Sequence, residues 1–226
     1  MTDARLLPTP QGDARVLVRS AQKPRATLLL QPGAGGGIGA RELVALSTGL
    51  PSDGITTLVL QHPFSVAGKR MAPRPAVLDE SLTSVVRELR RDLLEGEPLV
   101  LGGRSAGARS SARMARPLGA VACLALAFPL HPPGKPERSR LEELLGVGVP
   151  TLVVQGGRDV FGRPDEFPSR LPEGIRMSVL PDADHGFAVP RSAVPDQAAS
   201  LEWLVEEVRS WLRDHVVGNG GRGPGV

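Results

Sequence analysis

The sequence predicts an α/β fold: a mostly parallel, doubly wound sheet with helices on both faces. Three observations predict it. Short apolar runs recur along the chain, separated by segments of helical period. Several of these runs are nearly continuous Leu, Val and Ala, as strands covered on both faces require. A glycine-serine-glycine turn joins one run directly to a helical stretch. At 226 residues, 41% hydrophobic and 23% charged, the chain suits one domain with a core on each side of the sheet.

Taken in order, the runs at 15–19 and 26–31 lie too close together for a crossover helix and read as an antiparallel pair. Runs at 55–61, 98–102, 121–127, 150–155 and 176–180 follow, at intervals long enough for right-handed βαβ crossovers. Within 76–95, Leu78, Leu82, Val85, Val86, Leu89, Leu93 and Leu94 recur at three- and four-residue spacing, and Arg87, Glu88, Arg90, Arg91 and Asp92 supply the wet side. A second helix is expected at 106–116, directly after the glycine-serine turn, and a short one at 137–145 inside a Pro-rich connection. The last helix, 195–215, places Leu201, Leu204, Val205, Val208, Trp211 and Leu212 on one stripe that packs over the final strand. Residues 1–216 therefore read as a single domain. Residues 217–226 are too poor in apolar side chains to fold and are expected to form a disordered Gly-rich tail.

Composition excludes several classes of function. The net charge of +3 is spread along the chain, and five Phe, two Trp and no Tyr leave little to stack against bases, so no nucleic-acid partner is expected. No apolar run approaches the ~18 residues of a membrane span. The opening MTDARLLPTP lacks a basic region followed by an apolar core, so a cytoplasmic location is expected by default. Cys123, the one cysteine, sits in the apolar run 121–127 and reads as a buried structural thiol. With that cysteine isolated and no two histidines at helix-turn spacing, neither a metal nor a cofactor is expected. The sequence leaves a homo-oligomer open.

The strongest chemical signal is Gly103-x-Ser105-x-Gly107, after a strand and before a helix. A sharp strand-to-helix turn lifts a serine clear of the sheet, and small residues two before and two after it let strand and helix approach. The plain alternative is a glycine-softened turn in which Ser105 only caps the helix. A hydroxyl attacks only when a base takes its proton, and the base is held by a carboxylate. On such a sheet the order is Ser, then Asp or Glu, then His, each following a strand. Asp159 follows the run 150–155 and His185 follows 176–180, which makes Ser105, Asp159 and His185 the candidate triad. His62 and His131 precede Pro at the wrong places in that order, and His215 lies in the last helix. Asp182 and Asp184 share the histidine's loop and read as turn residues, Asp165 is a fallback acid, and Glu173 is remote from any strand end.

After the second run comes Gln31-Pro-Gly-Ala-Gly-Gly-Gly-Ile-Gly39, a loop whose backbone N–H groups are unshielded by side chains. Ala106 and Ala34 are the candidate oxyanion donors. Gly35-x-Gly37-x-x-Ala40 also satisfies a loose dinucleotide fingerprint, but the next run ends in Gln61-His62-Pro63 with no acidic residue for a ribose. Gly33, Gly35, Arg104, Arg158 and Arg70 are candidate substrate contacts, the arginines favouring an anionic substrate or simply adding surface charge.

With these residues placed, nearly the whole chain resembles the small lidless α/β-hydrolases related to dienelactone hydrolases. More narrowly, it is similar to Tex30-like proteins and to the hydrolase-like domain of a histone-acetyltransferase complex subunit. The resemblance is carried by Gly33-Ala-Gly-Gly-Gly37, His62-Pro-Phe64, Gly102-Gly-Arg-Ser-Ala-Gly-Ala-Arg109, Phe128-Pro-Leu-His-Pro-Pro-Gly-Lys-Pro136, Gln155-Gly-Gly-Arg-Asp159 and Asp184-His-Gly-Phe187. Pro32 stands where the family usually carries His before the glycine loop. The connection between 127 and 150 is too short for a lid domain, so an open site is expected. The resemblance implies a serine esterase acting on a small acyl ester, thioester or lactone through an acyl-enzyme. Since some members act within complexes, it also admits a non-catalytic interaction module.

Overall fold

The protein is described from a computed structural model, which covers residues 3–94 and 96–218. Its strands are β1 (Asp3–Leu7), β2 (Ala14–Arg19), β3 (Ala26–Gln31), β4 (Ile55–Gln61), β5 (Leu99–Arg104), β6 (Ala122–Leu126), β7 (Thr151–Gly156) and β8 (Ile175–Leu180). They form one sheet in the order β1-β2-β4-β3-β5-β6-β7-β8. Strands β3 to β8 run parallel, while β2 is antiparallel to both β1 and β4.

This order corrects one expectation. The runs at 15–19 and 26–31 are not a pair, because β4 lies between β2 and β3 and hydrogen-bonds to both. Two inter-strand spacings are about 10 Å, which the connection from 20 to 25, containing Pro24, readily spans. The parallel pairing of β3 with β4 through the intervening helix takes the place a hairpin would have used. Strand β1 is not among the expected runs: it lies at the sheet edge and none of its side chains is fully buried, so no buried run marks it.

The helices are α1 (Arg41–Gly49), α2 (Pro63–Val66), α3 (Pro75–Leu89), α4 (Ala106–Met114), α5 (Leu141–Leu145) and α6 (Gln197–Leu212). Alternation along each strand divides the core in two. Leu29, Leu101, Cys123 and Val153 face Leu82 and Val85 of α3, Ala108 and Ala112 of α4, and Leu144 of α5. Leu28, Leu30, Val100, Leu124 and Val154 face Leu43 and Leu46 of α1 and Leu204, Val208 and Trp211 of α6.

The helix boundaries shift for local reasons. Helix α3 stops at Leu89, whose carbonyl takes the N–H groups of both Leu93 and Leu94, and the chain then turns; residue 95, its expected end, lies outside the described residues. Helix α4 stops two residues short of 116, and the stretch 137–145 divides into a 3-10 turn, Pro136–Arg138, and α5. The Asp196 carboxylate caps α6 by accepting the Ala199 N–H at 2.9 Å. The chain continues from α6 in a wider helical turn, Arg213–Val217, so Val217 belongs to the helical end rather than to the expected tail. Residues 219–226 of that tail lie outside the described residues.

Two buried groups bear on later chemistry. Cys123 is fully buried in the middle of the sheet, and desolvation pushes its thiol up to about 12. His62 is also buried. Its Nδ1 lies 3.3 Å from Ser81 Oγ and its Nε2 3.1 Å from Gln31 Oε1, and the Gln31 amide donates in turn to Ser111 Oγ at 2.8 Å. Burial lowers His62 to about 4, only partly opposed by the Asp79 charge. The unfolded chain, with an ordinary histidine near ~6.5, binds this proton more readily than the native state. Stability is therefore unaffected by His62 above pH ~6.5 and is lost as the pH falls from there towards ~4, by about 3 kcal/mol in total. Urea unfolding of the parent and His62→Gln across this window is the check. The variant is expected to start less stable and to lose less on acidification.

Candidate active site

Each candidate side chain stands at the carboxyl end of a parallel strand, where the loops of such a sheet converge. Ser105 follows β5 and precedes α4, with φ 54 and ψ −111. This is a conformation that a residue with a Cβ rarely adopts, costing on the order of 1–3 kcal/mol. The turn is held because the Ser105 N–H donates to the Leu126 carbonyl at 3.0 Å and the Arg109 N–H closes the first helical turn on the Ser105 carbonyl. The flanking glycines are a steric requirement. A Cβ on Gly107 would lie 2.6 Å from the carbonyl oxygens of Gln31 and Pro32, and one on Gly103 would lie 2.7 Å from the Gly107 carbonyl carbon.

Asp159 and His185 come to this serine from the loops after β7 and β8. His185 Nε2 lies 2.8 Å from Ser105 Oγ, and His185 Nδ1 lies 2.8 Å from Asp159 Oδ2. Since a carboxylate only accepts, the proton sits on Nδ1 and leaves Nε2 bare to receive the serine hydroxyl. The Asp159 side chain is 0% exposed and that of His185 15%. Asp159 also accepts the Phe161 N–H on Oδ1 at 2.8 Å and the Gln155 amide on Oδ2 at 3.0 Å. The Phe161 ring stacks on the imidazole, with ring centroids 4.2 Å apart. The alternative acids are elsewhere: Asp165 and Asp182 are exposed, and Asp184 shapes the histidine loop by accepting the N–H groups of Gly186 and Ala188.

Ala106 is the first residue of α4, so its N–H has no partner within the helix. Neither it nor the Ala34 N–H donates to another protein group among the described residues. The glycine loop turns on a bond from the Gly36 N–H to the Gly33 carbonyl, and Ala34 accepts from Ala72. A Cβ on Gly33 would lie 3.5 Å from that of Ser105, so the start of the loop flanks the elbow. Gly35 is exposed, with nothing against it.

The arginines separate. Arg70 and Arg158 are exposed and make no bond to the triad. Arg104 is engaged within the protein: its Nε and Nη2 donate to the His185 carbonyl at 3.3 and 3.2 Å, and its Nε lies 3.3 Å from Glu42 Oε1. The reason is proximity in the fold, since Arg104 closes β5 directly beneath the histidine loop. Burial raises the Glu42 carboxyl above its usual range, and the Arg104 charge pulls it part of the way back.

Gln155, Phe161 and Glu42 are site residues that the sequence does not mark. Gln155 was visible only as part of Gln155-Gly-Gly-Arg-Asp159, and nothing local singled out Glu42, an acid in the first turn of a short helix. Beside His185 an open cleft of about 550 Å³ is lined by Arg41, Glu42, Arg104, Gly186, Gln197 and Leu201 among others. A cationic cleft of about 400 Å³ lies at the opposite, amino ends of β3 and β4 and holds none of the triad. No group of residues able to hold a metal ion occurs among the described residues, and no helix there is long and apolar enough to cross a membrane.

A family model described as an alpha/beta hydrolase domain matches residues 24–213. No curated protein matches the chain. Among solved structures, an alpha-beta serine hydrolase homologue from Coxiella burnetii superposes with a TM-score of 0.73 at 19% identity, covering 92% of this chain and 98% of that one. A dienelactone hydrolase from Anabaena variabilis gives a TM-score of 0.74 at 16% identity, covering 96% and 98%. An α/β serine hydrolase without a lid, from Xanthomonas campestris, gives 0.69 at 20% identity, covering 93% and 94%. Only α5 and a 3-10 turn lie between β6 and β7, so no lid domain covers the elbow in this chain either.

Proposed function

The chain belongs to the alpha/beta hydrolase domain family, and on that premise we propose that it is a serine hydrolase of small acyl esters, thioesters or lactones. The observation that carries the reading is the pair of 2.8 Å contacts linking Ser105 Oγ to His185 and His185 to a fully buried Asp159. In the proposed reaction, Ser105 attacks the acyl carbon while His185 Nε2 takes the hydroxyl proton and then gives it to the leaving alkoxide or thiolate. The Ala106 and Ala34 amides hold the oxyanion, and Asp159 stabilises the imidazolium. Water repeats the sequence on the acyl-enzyme and frees the acid. Nothing in this cycle calls for a metal or cofactor.

The open site favours short or compact acyl groups, since among the described residues no lid domain follows β6 to desolvate a long chain. The narrower likeness to Tex30-like proteins is most specific in the segment around Pro129–Pro136 and adds no substrate. A cytoplasmic location and the single-domain reading of 1–216 belong to the same proposal.

The test is intact-mass analysis after treatment with a fluorophosphonate, followed by peptide mapping. One adduct, on the peptide containing Ser105, is the expected result. An unlabelled, folded protein would overturn the reading in favour of a binding module.

A further inference from the structure

The residue before the nucleophile contacts more of the site than its position in the elbow requires. The Arg104 guanidinium donates through Nε and Nη2 to the main-chain carbonyl of His185. A Cβ on Gly33 would lie 3.2 Å from its Nη1, and one on Gly186 would lie 3.6 Å from its Nη2. The guanidinium is thus packed between the start of the glycine loop and the loop of the base. On its other side stands Glu42 of α1, with a side chain 1% exposed and an Oε1 that makes no hydrogen bond and lies 3.3 Å from Arg104 Nε.

We propose that Arg104 and Glu42 form a brace that sets the position of the His185 main chain. Arg104 is the positioning residue, and Glu42 acts through it. The inference rests on the serine-hydrolase reading above. Two anchors then define the base. Asp159 and Phe161 hold the imidazole ring, and Arg104 holds the backbone that carries it. The division has a physical basis, because a loop can pivot about a fixed ring and move the reacting nitrogen. Holding ring and backbone together removes that freedom.

The pairing with Glu42 answers an electrostatic need. A lone guanidinium beside His185 would oppose the imidazolium formed as the serine attacks. Of the charged groups around it, Asp159 bonds the imidazole, Arg104 bonds the His185 carbonyl and Glu42 lies beside Arg104, while Asp184 is on the same loop and Arg41 precedes Glu42 in α1. An ionised Glu42 beside it lets Arg104 supply directional donors at little net charge. Arginine suits the role because its planar fork reaches one carbonyl through two nitrogens while facing a carboxylate.

Arg104→Gln, Glu42→Gln and the double variant are compared by fluorophosphonate labelling rate and by kcat and KM on a short p-nitrophenyl ester, with thermal melting as the folding check. Arg104→Gln is expected to lower labelling and kcat by roughly 10- to 100-fold with KM little changed. Glu42→Gln is expected to lower them less, and the double variant to be no slower than Arg104→Gln alone. Arg104→Lys retains charge without the fork, and about tenfold slower labelling is expected of it; it carries the test should Arg104→Gln fail to fold. Additive losses in the double variant, parent-like labelling by the Arg104 variants, or a loss confined to KM would each overturn the brace while leaving a labelled parent, and so the hydrolase reading, intact. A parent that does not label at Ser105 would overturn both.

Discussion

Ser105→Ala is expected to lower kcat/KM on a short acyl ester by about 10⁴-fold or more, with the fold unchanged. The substitution removes one oxygen from an elbow whose geometry is fixed by the Leu126 carbonyl and by the close approach of Gly103 and Gly107, not by the hydroxyl. The losses should also fail to add. His185→Ala leaves a hydroxyl with no acceptor for its proton, so the Ser105→Ala/His185→Ala double variant should be no slower than either single one. Steady-state kinetics on all three, at enzyme concentrations high enough to measure the residual rate, decide the matter. A Ser105→Ala protein retaining a tenth of parent activity would exclude Ser105 as the nucleophile.

Asp159→Asn carries the second large effect, on the order of 10⁴-fold in kcat. Each oxygen of this carboxylate already faces donors: the Phe161 N–H on Oδ1, and the Gln155 amide and His185 Nδ1–H on Oδ2. An asparagine therefore has no comfortable orientation. With its NH₂ towards Phe161 it meets a fixed backbone donor. Turned the other way, it confronts the Gln155 amide and pushes the imidazole proton from Nδ1 to Nε2, where it blocks the serine. Either choice leaves a buried donor unsatisfied and should cost about 1–3 kcal/mol of stability as well. Kinetics and urea unfolding of the same preparation should show both losses together. An active Asp159→Asn with parent stability would mean that the carboxylate does not hold the base.

What was legible in the sequence was whatever is imposed locally. The elbow could be read because Gly103 and Gly107 flank Ser105 within one short turn, even though the atoms that exclude a Cβ at Gly107 belong to the distant Gln31 and Pro32. Asp159 and His185 could be read because a residue just past a buried strand must emerge at the sheet edge, and few acids or histidines had that position. The order of β2, β4 and β3 could not be read, since a strand's neighbour depends on where later segments return. The same holds for Arg104. Sequence places it beside the serine and suggests substrate contact, whereas its partners, Glu42 and the His185 carbonyl, lie 62 and 81 residues away along the chain. Gln155 belongs to an apolar strand and shows its role only once the Asp159 loop folds back over it.

The burial of Cys123 has a practical consequence for handling the protein. The chain has no other thiol, and this one lies in the sheet with its ionisation pushed up to about 12, so the folded protein should ignore maleimides and iodoacetamide at neutral pH. A cysteine introduced at an exposed site, such as Arg70→Cys or Arg158→Cys, would then be the single point of attachment for a fluorophore or spin label. The native background need not be removed first. Thiol alkylation of the parent becomes, in turn, a simple measure of how often the sheet itself opens.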